Sequence, residues 1–208
     1  MRDALAGVAL SARLARQLAF CIEADKVKQV FRQNPVTDGT RKENDAEHMW
    51  HLALMALVLA EHSVEPVDVG RVIGMVLVHD LVEIDAGDAF VYDSAARAAA
   101  AVLEVAAAER IFSMLPPDQA TWARDLWDDF EAKATPEARF AGALDRLQPM
   151  LMNASADGGG WAEHGITADR VRATNSVIDL GSPELWQAAQ RILAQAVADG
   201  VLQPGVLD

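Results

Sequence analysis

Two histidines and two aspartates occupy positions on apolar helical faces, where ionisable side chains are rare. They are His48, the adjacent pair His79 and Asp80, and Asp145. Their apolar neighbours recur at spacings of three and four, which is the helical period. For His48, these neighbours are Leu52, Met55 and Leu59. For the pair, they are Val72, Ile73, Met75, Val76 and Leu77. For Asp145, they are Leu144 and Leu147. The pattern predicts that all four side chains point inward.

Two imidazoles and two carboxylates are a suitable ligand set for one divalent cation of the Mn, Fe, Co, Ni or Zn kind. The carboxylates would neutralise the ion, and open positions would accept water and a substrate oxygen. A buried histidine, however, is more often a hydrogen-bonded core residue than a ligand. The candidates are also 31 and 65 residues apart along the chain. Periodicity alone therefore leaves a metal site and a polar core both open.

The helix that carries Asp145 has two further unusual features. Ala138, Ala141 and Gly142 lie on the aspartate's side, and such small residues would let another group approach closely. Pro149 follows four residues later and removes the amide that would bond the Asp145 carbonyl. Local rules are broken most often at functional or strained sites.

The elements that must position these residues are helices, because alternating β-branched runs are absent and alanine and leucine dominate. We predict an all-α helical bundle of about eight helices, in which a domain over residues 1–157 is followed by a C-terminal helical appendix over residues 158–208 packed on the same domain. The predicted helices span about 3–32, 44–62, 67–84, 94–115, 117–132 and 136–153, with two more that begin near 167 and 182. The second begins at Asn44, and Glu47 completes a capping box.

Composition limits the function classes. The chain has 208 residues and a formal net charge of −13, from 18 basic and 31 acidic residues. The negative electrostatic field that results from this charge would repel a nucleic-acid duplex or an anionic membrane. A small anionic substrate is compatible with it, provided that a metal ion or arginines supply a local positive centre. The single cysteine, Cys21, and the lack of a long apolar run favour a cytoplasmic protein.

Three segments resemble the HD-domain metal-dependent phosphohydrolases, and most closely the branch similar to bacterial 5′-deoxynucleotidases. The segments are Arg41–His48, Val78–Asp88 and Ala143–Leu147. Their order and separations fit that family, and the resemblance covers about Val27 to Asn153. One departure is Gln33, because the deoxynucleotidases carry a tryptophan after the arginine that precedes their proline.

The resemblance implies a role for each matching residue. His48, His79, Asp80 and Asp145 would bind one divalent metal ion (Mn, Co, Fe, Ni, Zn or Mg), and Glu83 would assist proton transfer. Asp88 would lie near the nucleotide, and Arg32 would contact the phosphate. Residue chemistry alone adds Arg41 and Arg146 as candidate phosphate ligands, since a permanently charged guanidinium binds phosphate in a bidentate manner.

The function expected from this reasoning is hydrolysis of a phosphomonoester, with a 5′-(deoxy)nucleoside monophosphate as the leading substrate. Two alternatives stay open. One is a non-catalytic HD protein that binds metal or nucleotide, and the other is a diiron HD-type oxygenase, which would need a second ligand set. Related proteins also lead us to expect a homodimer.

Overall fold

The computed structural model describes residues 9–205. The α-helices are α1 (Ala12–Ala24), α2 (Asp45–Leu59), α3 (Val69–Val78), α4 (Glu83–Ala86), α5 (Ser94–Phe112), α6 (Pro117–Ala132), α7 (Pro136–Ser155), α8 (Gly159–Glu163), α9 (Ala168–Asn175), α10 (Ile178–Gly181) and α11 (Pro183–Ala198). Eight of the helices in this part of the chain have eight residues or more, which confirms the all-α prediction. The ends of the predicted first helix and appendix, residues 3–8 and 206–208, lie outside the described residues. None of the described helices is long and apolar enough to cross a membrane.

A 3₁₀ segment and the beginning of a small hairpin replace residues 25–32 of the predicted first helix. The α-helix ends at Ala24, a 3₁₀ segment spans Asp25–Gln29, and strand β1 (Phe31–Pro35) pairs antiparallel with β2 (Lys42–Asn44). The prediction of one helix to Arg32 was therefore wrong. Pro35 disfavours helix in the residue before it, and the polar hairpin lacks the alternating pattern that identifies a strand.

Side-chain caps begin the helices that carry the site. Asn44 accepts from the Glu47 amide at 3.0 Å while Glu47 accepts from the Asn44 amide, so the predicted capping box is present. Thr135 caps α7 as expected, with Pro136 in the first turn. Helix α5 differs slightly, because Asp93 is its cap and Ser94 its first residue.

Helix α7 lies at the centre of the fold. It packs against α2, α3, α6, α10 and α11 and also contacts β1. Its buried residues include Ala138, Phe140, Ala141, Gly142, Ala143, Leu144 and Leu147. The small members of this set allow neighbouring helices to approach closely. The helix continues through Pro149 to Ser155, so the proline does not end it.

The C-terminal helices return to this core. At Gly181 in α10, an added Cβ would overlap the Arg139 carbonyl oxygen of α7. The Ser182 hydroxyl donates to the His62 carbonyl at 2.6 Å and also caps α11. Gly160 donates its amide to the Asn153 side chain at 2.7 Å. These contacts attach α8, α10 and α11 directly to residues of the first 157.

Candidate metal centre and substrate cavity

Helices α2, α3 and α7 bring the four sequence-predicted ligands together. His48 is in the first turn of α2, His79 and Asp80 follow α3, and Asp145 is in the middle of α7. His48 Nε2 lies 3.2 Å from Asp145 Oδ1 and 3.8 Å from Asp80 Oδ2. His79 Nε2 lies 3.1 Å from Asp80 Oδ1 and 3.6 Å from Asp145 Oδ1. The four side chains therefore face one small volume.

A change of helix type lets adjacent residues face that volume. The α-helical pattern of α3 ends at Val78, and His79–Val82 continue as a 3₁₀ turn. The sequence predicted one continuous helix here. Tighter turns of this kind often occur at functional positions. His79 is fixed by its Nδ1, which lies 3.0 Å from the Val76 carbonyl oxygen and donates to it. Its Nε2 is thereby directed at the aspartates.

Gln148 orients the other imidazole. His48 Nδ1 lies 3.0 Å from Gln148 Oε1, and Gln148 Nε2 donates to Glu43 Oε1 at 2.7 Å. Because the amide oxygen can only accept, Nδ1 of His48 carries the proton and Nε2 has a free lone pair. Sequence reasoning missed both Gln148 and Glu43. The available signal was that Gln148 lies three residues after Asp145, on the same face of the helix.

The donor set fits a divalent metal ion. One atom each from His48, His79 and Asp145 lies within 4.8 Å of the others. His79 Nε2 is buried and has no hydrogen-bond partner within residues 9–205, although it faces two carboxylates. Burial would lower the pKa of His79, but Asp80 and Asp145 raise it to about 10. The carboxylates thus require a cation, and a metal ion would use the lone pair that a proton otherwise takes.

A second group of carboxylates surrounds Arg32. Its Nη1 lies 2.7 Å from Asp80 Oδ2 and 3.3 Å from Asp45 Oδ1. Carboxylate oxygens of Asp45, Asp80 and Glu83 lie within 4.8 Å of one another. Burial and the neighbouring Asp80 and Asp45 carboxylates raise the pKa of Glu83 well above its ordinary value. Burial likewise raises the pKa of Asp45 to about 7. Asp45, which sequence reasoning missed, therefore links the guanidinium to the start of α2.

A cavity of about 500 Å³ opens beside these residues. Its wall includes most of the sequence-predicted site residues, namely Arg32, His79, Asp80, Glu83, Asp88, Asp145 and Arg146. Burial raises the pKa of the Asp88 carboxyl, and Arg32 opposes that effect. Arg146 Nε lies 3.7 Å from Asp145 Oδ2. The aromatic residues Phe90, Tyr92 and Trp161 also line the cavity.

Arg41 is not brought to the cavity. Its guanidinium is half exposed and forms two hydrogen bonds of 2.7 Å with Glu47, one to each carboxylate oxygen. The same Glu47 belongs to the capping box of α2. Arg41 thus pairs with the capping residue of that helix, whereas Arg32 lines the cavity.

Comparisons with known proteins agree with this geometry. The profile of the HD domain family matches residues 24–186. A crystal structure from Magnetospirillum magnetotacticum MS-1, described as a predicted metal-dependent phosphohydrolase, has a TM-score of 0.86 and 48% sequence identity; the match covers 92% of this chain and 99% of that one. The 5′-deoxynucleotidase HDDC2 of Xenopus laevis is 32% identical over 64% of this chain and 66% of its own length. That of Bos taurus is 31% identical over 70% of each chain.

Proposed function

The chain belongs to the HD domain family, as its motifs predict, and on that premise we propose that it is a metal-dependent phosphohydrolase. The proposed substrate is a phosphomonoester. A 5′-(deoxy)nucleoside monophosphate is the leading class, because the vertebrate relatives are named 5′-deoxynucleotidases. The observation that carries the proposal is the convergence of two imidazoles and two aspartates beside a cavity. His48 is fully buried behind the cavity wall, whereas His79, Asp80, Asp145 and Arg32 line it.

We propose that His48, His79, Asp80 and Asp145 hold a single divalent ion. Such an ion, when bound, would polarise a phosphoryl oxygen and lower the pKa of a water molecule. The mixed nitrogen and oxygen donors suit Mn, Co, Fe, Ni, Zn or Mg to different degrees. Gln148 supports the site, since its amide oxygen fixes which nitrogen of His48 is free to act as a ligand.

Glu83 is the proposed proton-transfer group. It lies at the start of α4, one turn beyond His79, and its side chain lines the cavity. Its Oε2 is buried without a hydrogen-bond partner among the described residues. A carboxyl in such surroundings can take a proton from the attacking water or deliver one to the leaving oxygen.

Arg32, Arg146 and Asp88 are the proposed substrate-binding residues. The Arg32 guanidinium is largely buried at the cavity wall, so its charge is poorly screened there. Arg146 adds a second guanidinium from α7. Asp88 follows Gly87, whose φ of 77° turns the chain at the end of α4. A carboxylate there can accept a hydrogen bond from a sugar hydroxyl.

The position of Arg32 favours one metal ion over the diiron alternative. The carboxylates that could provide a second ligand set, Asp45, Asp80 and Glu83, surround the Arg32 guanidinium. A second ion would have to displace that side chain from its ion pairs. The non-catalytic alternative predicts tight metal binding without turnover, and the buried Glu83 Oε2 argues against it.

The assembly and location of the protein are further proposals. Large apolar side chains are exposed on α2, where Trp50 is 64% and Leu57 62% accessible. Exposed apolar residues of this kind are compatible with a homodimer, which light scattering on the purified protein would measure. Cys21 is a free thiol at the surface, which is consistent with a reducing, cytoplasmic environment.

We also propose that residues 158–208 form one structural unit with residues 1–157. The contacts of α10 and α11 with α7 support this proposal.

The test is phosphate release by chelator-stripped protein that has been reloaded separately with Mn, Co, Ni, Mg or Zn. The substrate panel contains 5′-deoxynucleoside monophosphates, ribonucleotides and sugar phosphates. Metal-dependent release should be abolished in Asp145→Ala. Asp199→Ala, which removes an exposed carboxylate at the end of α11, is the matched control and should retain release.

Glu83→Gln separates turnover from metal binding. It should keep the metal content of the wild type while phosphate release falls by about 10²–10⁴-fold. If a metal-replete wild type releases no phosphate from any compound of the panel, the proposal of a phosphomonoesterase acting on these classes is wrong. Metal content per chain, measured on the same samples, also decides between one ion and two.

A further inference from the structure

Lys133 lies in the cavity wall, outside every motif that identified the site. It is the residue after α6, and its side chain lines the same cavity as His79, Asp80 and Asp145. Its Nζ lies 3.0 Å from the centre of the Phe130 ring. The Phe130 ring in turn packs on His79, with 4.6 Å between ring centres. The aromatic ring thereby places an ammonium group next to the candidate metal centre.

The backbone at Lys133 does not account for a lysine. The residue has a left-handed conformation, with φ 51° and ψ 27°, and it ends α6. Glycine or asparagine is favoured at such positions, because other residues are strained there. The reason for a lysine must therefore be sought in its side chain.

Gly142 provides the space for that side chain. A Cβ atom on Gly142 would lie 2.9 Å from Lys133 Cε and 3.4 Å from Nζ. Gly142 is in the buried face of α7, three residues before Asp145. The small residues on the Asp145 side of the helix thus leave room for the lysine stem. The side chain is held between Phe130 and α7 and is only partly exposed.

The ammonium has no carboxylate partner among the residues that the structure describes. The carboxylates of Asp145, Glu131 and Asp80 act on it only from a distance, and Arg146 opposes them. Arg32 and Arg139, which also line the cavity, are by contrast paired with Asp80 and Glu65. An ammonium removed from water without a partner is unfavourable, and an anion in the cavity would correct this. In agreement, desolvation lowers the pKa of Lys133 to about 8.

We infer that Lys133 is a substrate-binding residue that donates from its ammonium group to an oxygen of the phosphoryl group in the cavity. The inference rests on the proposed function for the identity of the anion. Arg32 and Lys133 would then contact the phosphoryl group from different walls, since Arg32 lies in the hairpin and Lys133 at the end of α6. Gly142 is the residue that keeps the lysine position available.

The experiment is calorimetric titration of inorganic phosphate into metal-loaded protein. Lys133→Met keeps the length of the stem and removes the charge, and it should weaken phosphate binding by at least about tenfold. Lys133→Arg should retain most of the affinity. Lys28→Met is the matched control, because Lys28 is exposed and paired with Asp25, and its phosphate affinity should match that of the wild type.

Gly142→Ala tests the geometry without removing the lysine. The added methyl group would displace Cε, so phosphate affinity should fall in an otherwise wild-type protein. In a Lys133→Met background the same change should have no further effect on affinity. If Lys133→Met cannot be purified folded, the single Gly142→Ala variant still tests the inference, because alanine suits a helix interior.

Three results would overturn the inference. Lys133→Met could bind phosphate as tightly as the wild type at equal metal content, the effects of the two substitutions could be additive, or the wild type could fail to bind phosphate. Failure of the proposed function is a separate outcome. A wild type that binds phosphate but hydrolyses no phosphomonoester would refute the phosphohydrolase, while the titrations would still decide the role of Lys133.

Discussion

Lys133→Met should make the protein more stable at neutral pH. The ordinary pKa of a lysine is 10.5, and burial lowers that of Lys133 to about 8. Because each pH unit corresponds to about 1.4 kcal/mol, keeping this desolvated amine protonated lowers the stability of the fold by about 3 kcal/mol at neutral pH. The lost contact between the ammonium and Phe130 offsets up to about 2 kcal/mol. The expected net gain is about 1 to 3 kcal/mol.

The pH dependence of this gain identifies its source. Below about pH 8, Lys133 is protonated in both the folded and the unfolded chain, so its full unfavourable contribution is present. Between about pH 8 and 10.5 the unfolded chain binds more protons than the folded one, and wild-type stability rises relative to the variant. The advantage of Lys133→Met should therefore shrink as pH increases through this range.

Urea unfolding of both proteins at about pH 7 and about pH 9.5 measures the effect, with equal metal loading. Other groups titrate in both proteins, so their contributions cancel in the difference. A variant that is less stable than the wild type at neutral pH would refute the reasoning. So would an advantage of the same size at both pH values, because that would reflect packing and not charge.

Three other predictions test separate parts of the structure. Gln148→Leu leaves His48 Nδ1 without its acceptor and should lower metal affinity by about 10–100-fold. Titration with a competing chelator measures this affinity, and an unchanged value would contradict the orienting role of Gln148. Arg32→Gln should lower kcat/KM by at least about tenfold, whereas Arg41→Gln should stay within about twofold, because Arg32 lines the cavity and Arg41 does not. Equal losses in kinetic assays would contradict this. Gly181→Ala should lower the free energy of unfolding by about 1–3 kcal/mol in urea titrations, because the alanine Cβ would overlap the Arg139 carbonyl oxygen. A variant as stable as the wild type would refute the packing of α10 on α7.

The parts of the fold that could be predicted depend on local signals. The capping box at Asn44 and the Thr135–Pro136 start of α7 are short-range patterns, and both helices begin where those patterns predict. His48 and Asp145 stand out because an ionisable residue breaks an otherwise apolar helical face. Periodicity of this kind can be recognised in a single segment without knowledge of the rest of the chain.

The missed features depend on contacts that are distant in sequence. Asp45 looks like an ordinary acidic residue in the first turn of a helix, and only the hairpin brings Arg32 to its carboxylate. Lys133 looks like an exposed charge after α6, and only the packing of α6 on α7 places it in the cavity. Gln148 is a single polar residue on a mainly apolar helix face, and its role becomes clear only from its contact with His48 of α2.

One face of α7 combines the functions that the site requires. Gly142, Asp145 and Gln148 follow one another at intervals of three, so their side chains lie on the same side of the helix. Gly142 leaves space for the Lys133 side chain, Asp145 faces both imidazoles, and Gln148 sets the tautomer of His48. Because one buried helix carries all three, it sets the distance between the Lys133 ammonium and the proposed metal ligands. A shift of α7 would therefore disturb both the space for the Lys133 side chain and the proposed metal ligands.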